Sequence, residues 1–181
     1  LATQWTTPKT WATNDVLTAA DLNTYTRDNS SWAITDKPSW RLTNSSSQVI
    51  STGTYTALTF DTELIDNGLL HSTASSSSRV TIPSAAKAGL YLMGACVLWA
   101  YDATDDRQLL LRVNGTNYIV ADNGMAITTG AIGVAQNVTT VYPLVSGDYV
   151  EMIVGHNAAP TLNSVFAANY APICWGTWIG T

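Results

Sequence analysis

The side chains that could do chemistry in this chain are few and scattered. Its only histidines, His71 in HSTASSSSR and His156 in GHNAAP, have no carboxylate or nucleophile at a spacing that would make either a general base, so both are expected in loops. Its only glutamates, Glu63 and Glu151, are not paired by spacing with a second acid, which leaves no couple for cleaving a glycosidic bond. The loop DATDD offers Asp102, Asp105 and Asp106 as oxygen ligands for calcium. It lacks the glycine and terminal glutamate of a calcium-binding hand and reads first as a solvated turn. Cys96 and Cys174 each lie in an apolar, strand-like run, a setting that suits buried free thiols better than a disulfide or a metal site. No cofactor or metal is expected, and the chain reads as a non-enzyme.

Binding chemistry is easier to place. Stacking on a sugar ring needs an exposed Trp or Tyr beside Asn, Asp or Gln. Tyr101 with Asp102, and Tyr118 with Asn117 and Asp122, have that composition, and His156 stands in a neighbouring turn-rich segment. Trp99, Trp175 and Trp178 read first as core or interface, because aromatic rings dominate burial energetics. Sequons stand at Asn44, Asn114 and Asn137.

Composition narrows the partners. Hydrophobic residues make up 46% of the chain and charged ones 12%, with a net charge of -5, so polarity comes mostly from hydroxyls and amides. No basic stripe is available to neutralise phosphates, which disfavours nucleic acid and polybasic membrane association. No apolar run approaches the roughly 20 residues of a spanning helix. The stretch LATQWTTPKTW lacks the basic-then-apolar layout of a signal peptide, so ordinary secretion is not expected.

The elements that must position these residues divide at Pro38, with a leader and helix over 1–37 and a β-rich unit over 38–181. In the leader, Thr18 caps a helix with Asp21 at its third position, and Leu17 and Leu22 flank the cap as a hydrophobic staple. Leu22, Tyr25, Asn29 and Trp32 are spaced to share one helical face, and the helix is expected to end between Trp32 and Asp36. That stripe must pack on the chain's own β unit, on copies of itself or on a docking protein, since so short a helix is marginal alone. An Asn such as Asn29 within the seam is compatible with setting oligomer register. Beyond Pro38, short runs such as GLYLMGACVLW, RQLLLRVNG and DYVEMIVGH alternate with turn residues, which predicts an antiparallel sandwich or barrel. Tyr91, Met93, Ala95, Val97 and Trp99 share one face, as do Val150, Met152 and Val154.

The order of these runs resembles the jelly-roll superfamily of the complement-q globular head and tumour necrosis factor. Gly89, Tyr91 and Met93 match its G-x-Y-x-F strand with Met for Phe; Leu144, Gly147, Asp148 and Val150 match its L-x-x-G-D-x-V element; Trp175 to Trp178 fit its closing aromatic strand. The stretch TWATNDVLTAADLNTYTRDN is similar to a leader found on structural proteins of tailed bacteriophages, through Trp11, Val16, Thr18, Ala19, Ala20, Leu22, Asn23, Tyr25, Arg27, Asp28 and Asn29.

The first resemblance implies a homotrimeric jelly-roll head, with Trp32, Tyr91, Met93, Trp99, Trp175 and Trp178 as core or trimer residues. The second implies a virion protein fastened to a capsid or tail protein by its N-terminus, with Trp5, Trp11, Leu17, Leu22 and Tyr25 as attachment residues. Together they lead to the expectation of a non-enzymatic surface protein that adheres to a host-surface glycan through a tail-tip, tail-fibre or head-fibre role. Capsid decoration and a secreted complement-q-like recognition protein are the alternatives.

Overall fold

The computed structural model describes residues 5–126, 133–158, 161–164 and 172–180. The end of the HNAAP segment and the last residue of the closing strand lie outside them.

The helix begins where the cap predicts. The Thr18 hydroxyl accepts the Asp21 N–H at 3.1 Å, and the Asp21 carboxylate accepts the Thr18 N–H at 3.1 Å, which closes a capping box. The winding then departs from an ideal α-helix. α1 (Ala19–Asp21) and α2 (Asn29–Ser31) alternate with π-helical segments at Leu22–Asp28 and Trp32–Asp36, and the chain turns out at Pro38. Because π-helical N–H groups reach back five residues instead of four, a stripe spaced for 3.6 residues per turn is spread around the helix. Leu17 and Leu22 stay exposed, Tyr25 is half-buried, and only Asn29 and Trp32 are buried. Within the single chain, then, only the Asn29–Trp32 end of the stripe is packed. Asn29 is spent within the chain: its side chain accepts the Thr6 N–H at 2.9 Å and donates to the Thr6 carbonyl at 2.7 Å, tying the leader back onto the helix.

Twelve strands follow among the described residues: β1 (Ser39–Thr43), β2 (Gln48–Ser51), β3 (Thr56–Ala57), β4 (Thr62–Asn67), β5 (Arg79–Thr81), β6 (Gly89–Leu98), β7 (Asp106–Val113), β8 (Asn117–Met125), β9 (Ala135–Leu144), β10 (Tyr149–His156), β11 (Thr161–Ser164) and β12 (Ile173–Gly180). They form one sheet in the order β4-β1-β12-β6-β9 and a second built on β3-β10-β7-β8, with β5 also paired to β10. A small β11-β2 ribbon completes the set. Every strand pairing among the described residues is antiparallel, and the crossovers between non-consecutive neighbours make this a jelly roll.

The core lies between the two large sheets and is filled by the alternation read in the sequence. Tyr91, Met93, Ala95, Val97 and Trp99 are all buried, and Val150, Met152 and Val154 meet them from the other sheet. Each of the Val and Met side chains contributes about 1.5–3 kcal/mol on burial. Trp40 and Leu42 of β1 and Cys174 of β12 join the same cluster.

Candidate interaction surface

Among the described residues, the other face of the β4-β1-β12-β6-β9 sheet is left open along its centre. Strand register lays its side chains out in cross-strand rows. Ile65, Arg41, Trp175, Gly94 and Thr139 form the central row, with Ile173, Cys96 and Asn137 on one side and Thr177, Leu92 and Val141 on the other. Ile65 is 45% exposed and Val141 48% exposed. A shallow cavity of about 560 Å³ opens among Arg41, Ile65, Cys96, Asn137, Ile173 and Trp175. The indole of Trp175 lies across Gly94, where a Cβ would come within 2.7 Å of Cζ2, so glycine is what lets the ring lie flat along the sheet. An aromatic and aliphatic face with one cationic group has the composition of an association surface.

Of the six core-or-trimer residues, Trp175 alone points to this face. Tyr91, Met93 and Trp99 are core. Trp32 is buried by an edge contact to Trp178 at 4.6 Å and another to Trp5 at 6.1 Å, so the leader, helix and closing strand meet in a three-indole stack. Trp5 and Trp11 keep part of their surface in solvent, as do Leu17 and Leu22; the Lys9 ammonium sits 4.2 Å from the Trp11 ring centre.

The acidic loop holds its own cation. The fully buried guanidinium of Arg107 donates to the carbonyls of Thr104 at 2.6 Å, Asp105 at 2.9 Å and Asp102 at 3.0 Å. Those carbonyls are turned onto the guanidinium, and the Asp106 carboxylate accepts the side-chain amides of Gln108 at 3.1 Å and Asn157 at 2.6 Å, so the loop is braced from within. The Asp102 carboxylate accepts the Thr104 hydroxyl and N–H, which hold it below the usual carboxylate range. Among the described residues no group of three His, Cys, Asp or Glu side chains is gathered for a metal.

His156 departs from the sequence reading in its place, and His71, in a loop as expected, departs in its partner. His156 is the last residue of β10, not a loop residue; its Nε2–H donates to the Ile50 carbonyl at 2.8 Å and its ring stands 5.7 Å from Trp99. His71 does have a carboxylate partner, Glu63 at 2.8 Å from Nδ1, which chain folding across the β4–β5 connection supplies and spacing hid. Its Nε2 faces the Ser77 carbonyl at 3.0 Å, so neither nitrogen is presented to a nucleophile. Glu151, 5% exposed at its side chain, is held by Arg112 at 2.8 Å and Arg79 at 3.3 Å.

The Tyr101–Asp102 and Asn117–Tyr118 pairs are not brought together. Tyr101 and Asp102 precede β7, whereas Asn117 and Tyr118 begin β8 at the far end of the β7–β8 hairpin. Asn117 donates to the Tyr142 hydroxyl at 2.9 Å. Tyr118 instead lies 5.9 Å from Tyr55, a residue that sequence reasoning missed because YTALTF reads as an ordinary strand. The cysteines are free, and register explains it: Cys96 pairs with Ile173 and Cys174 with Ala95, so their side chains point to opposite faces.

No protein-family model matches the sequence, and no curated protein does. Solved structures do match in fold. The globular domain of zebrafish complement 1qA protein is 13% identical, with a TM-score of 0.58 over 79% of this chain and 98% of that one. Murine APRIL is 12% identical, with a TM-score of 0.59 over 79% and 99%. Eiger TNF from S. frugiperda is 12% identical, with a TM-score of 0.52 over 81% and 95%. The chain thus has the complement-q and tumour-necrosis-factor type of jelly roll, preceded by a short helix.

Proposed function

We propose that this chain is a non-enzymatic, homotrimeric surface protein of a bacteriophage virion, anchored by its N-terminal 37 residues and presenting residues 38–181 as a head that adheres to host-surface carbohydrate. The observation that carries the self-association is the rowed apolar face around Trp175, which a closed ring of copies would cover. The exposed Trp11, Leu17 and Leu22 are apolar surface that a capsid or tail protein would bury. The leader's likeness to phage structural proteins supports the virion assignment.

Light scattering of the full chain at micromolar concentration is expected to give three times the 19.4 kDa chain mass, and Trp175→Glu to give one. A monomeric parent protein removes the trimer. Antibody labelling of purified phage particles tests the location: a few trimers at the tail indicate adhesion, hundreds on the head indicate decoration, and no labelling refutes the virion role.

A secreted recognition protein is the reading that the fold likeness favours. Its sequons fit poorly: Asn44 is buried, and Asn114 is engaged with Asp148 and the Tyr149 N–H. Asn137 lies on the apolar sheet face, where a glycan would block association.

A further inference from the structure

We propose that a cleft at the β3 end of the second sheet binds one pyranose ring of a neutral saccharide, stacked on Tyr55. The proposal rests on the adhesion reading and gives it a site. Tyr55 is 52% exposed although it lies over the sheet. Its ring runs along Gly155, where a Cβ would come within 3.0 Å of Cδ1; glycine there lets the ring settle against the backbone and turn its other face outward. Tyr118 stands beside it at 5.9 Å, tilted by 47°. Beneath opens a cavity of about 130 Å³ among Gly53, Tyr55, Asp106, Gln108, His156 and Asn157.

The polar groups of this cleft are set in a relay. The Tyr55 hydroxyl donates to Gln108 Oε1, Gln108 Nε2 donates to Asp106 Oδ2 at 3.1 Å, and Asn157 Nδ2 donates to Asp106 Oδ1 at 2.6 Å. Each amide is thereby oriented before a ligand arrives, which lowers the ordering cost of binding. The buried Arg107 guanidinium holds the loop before Asp106 by donating to the Thr104 and Asp102 carbonyls, so the relay stands on a fixed base. Among the described residues no Lys or Arg lines the cavity, which disfavours phosphates and acidic headgroups, and its largely polar wall disfavours lipid. An exposed aromatic face beside oriented amides and one carboxylate suits a ring with an apolar C–H face and several hydroxyls.

Saturation-transfer NMR on the full chain, with the methyl glycosides of glucose, galactose and N-acetylglucosamine at millimolar concentration, tests the site. Transfer to the ring protons of at least one glycoside is expected. Tyr55→Ala should weaken binding about tenfold, Asn157→Ala a few-fold, and Tyr55→Phe should retain the stacking. No transfer to any of the three glycosides overturns the site, and so does binding that survives both Tyr55→Ala and Asn157→Ala unchanged. Should Tyr55→Ala fail to fold, unchanged binding in Asn157→Ala overturns it alone. Whole-cell binding separates the two proposals: cells bound equally by the parent and Tyr55→Ala proteins sink the cleft and leave adhesion standing. Glycoside binding lost in Tyr55→Ala, without any cell binding by the parent, supports the cleft and sinks adhesion.

Discussion

The indole of Trp40 lies directly across Gly176, its register partner on the neighbouring strand, so closely that a Cβ on Gly176 would fall 2.2 Å from Cζ2. Trp175 and Gly94 repeat the arrangement one strand further on and on the opposite face. Together the two pairs lock β1, β12 and β6 in register, since a slip by one residue would drive an indole into a side chain. Gly176→Ala is expected to cost about 1–3 kcal/mol by overpacking. Gly180→Ala, where nothing lies within 4 Å of the added carbon, should be close to neutral. Urea unfolding of both variants checks the contrast.

Arg107 should matter for the opposite reason, a loss instead of an excess. Arg107→Met removes the charged donors to three loop carbonyls while filling much of the volume of a fully buried side chain. A destabilisation of about 3 kcal/mol is expected from the lost charge-assisted hydrogen bonds. Added calcium should not restore the loss, a result that thermal melts with and without the ion would reveal.

Glu151 tests whether an almost buried acid is structural. Glu151→Gln leaves Arg79 and Arg112 without their shared counter-charge and is expected to cost about 2 kcal/mol, or roughly 4–8 °C in Tm for a domain of this size. Binding to host cells should be unchanged at temperatures where the variant is folded. Host polysaccharide cleavage by the parent protein that disappears in Glu151→Gln would overturn the non-enzymatic reading.

The thiols give a pH signature. Burial pushes the Cys174 thiol up to about 12 from an ordinary 9.0, and the nearby Trp40 N–H only partly opposes it. A raised folded-state pKa means that the native chain keeps a proton the unfolded chain gives up. Its stabilising contribution is therefore complete below pH 9 and lost as pH rises toward 12. Cys174→Ala should flatten stability against pH over that window. At pH 8 iodoacetamide should label Cys96 slowly and Cys174 far more slowly, and both rapidly in denaturant.

Local rules carried much of the fold. The capping box was legible because Thr18 and Asp21 are three residues apart and need no tertiary partner. The faces of β6 and β10 were legible because strict alternation survives in long, buried strands. The reading failed where partners arrive from far along the chain. β2 and β11 are short and polar and exist because they pair with each other across more than 100 residues. The Glu63–His71 pair depends on how the intervening chain folds back, and the Tyr55 cleft joins a turn, a hairpin start and a strand end. The π-helical winding left no mark in the spacing of Leu22, Tyr25, Asn29 and Trp32; nothing in the structure supplies a physical account of it.

The three-indole stack has a mechanical consequence. The helix hands its chain at Pro38 straight to β1, which is hydrogen-bonded on both sides, to β4 and to β12, while Trp32 braces the helix against Trp178 of β12. Tension applied at the leader would therefore enter the sandwich through an interior strand and its neighbour together. Because ladder bonds run perpendicular to the strands, a pull along β1 loads them side by side instead of unzipping them one at a time. A sandwich entered this way is suited to bear a load applied through residues 5–37.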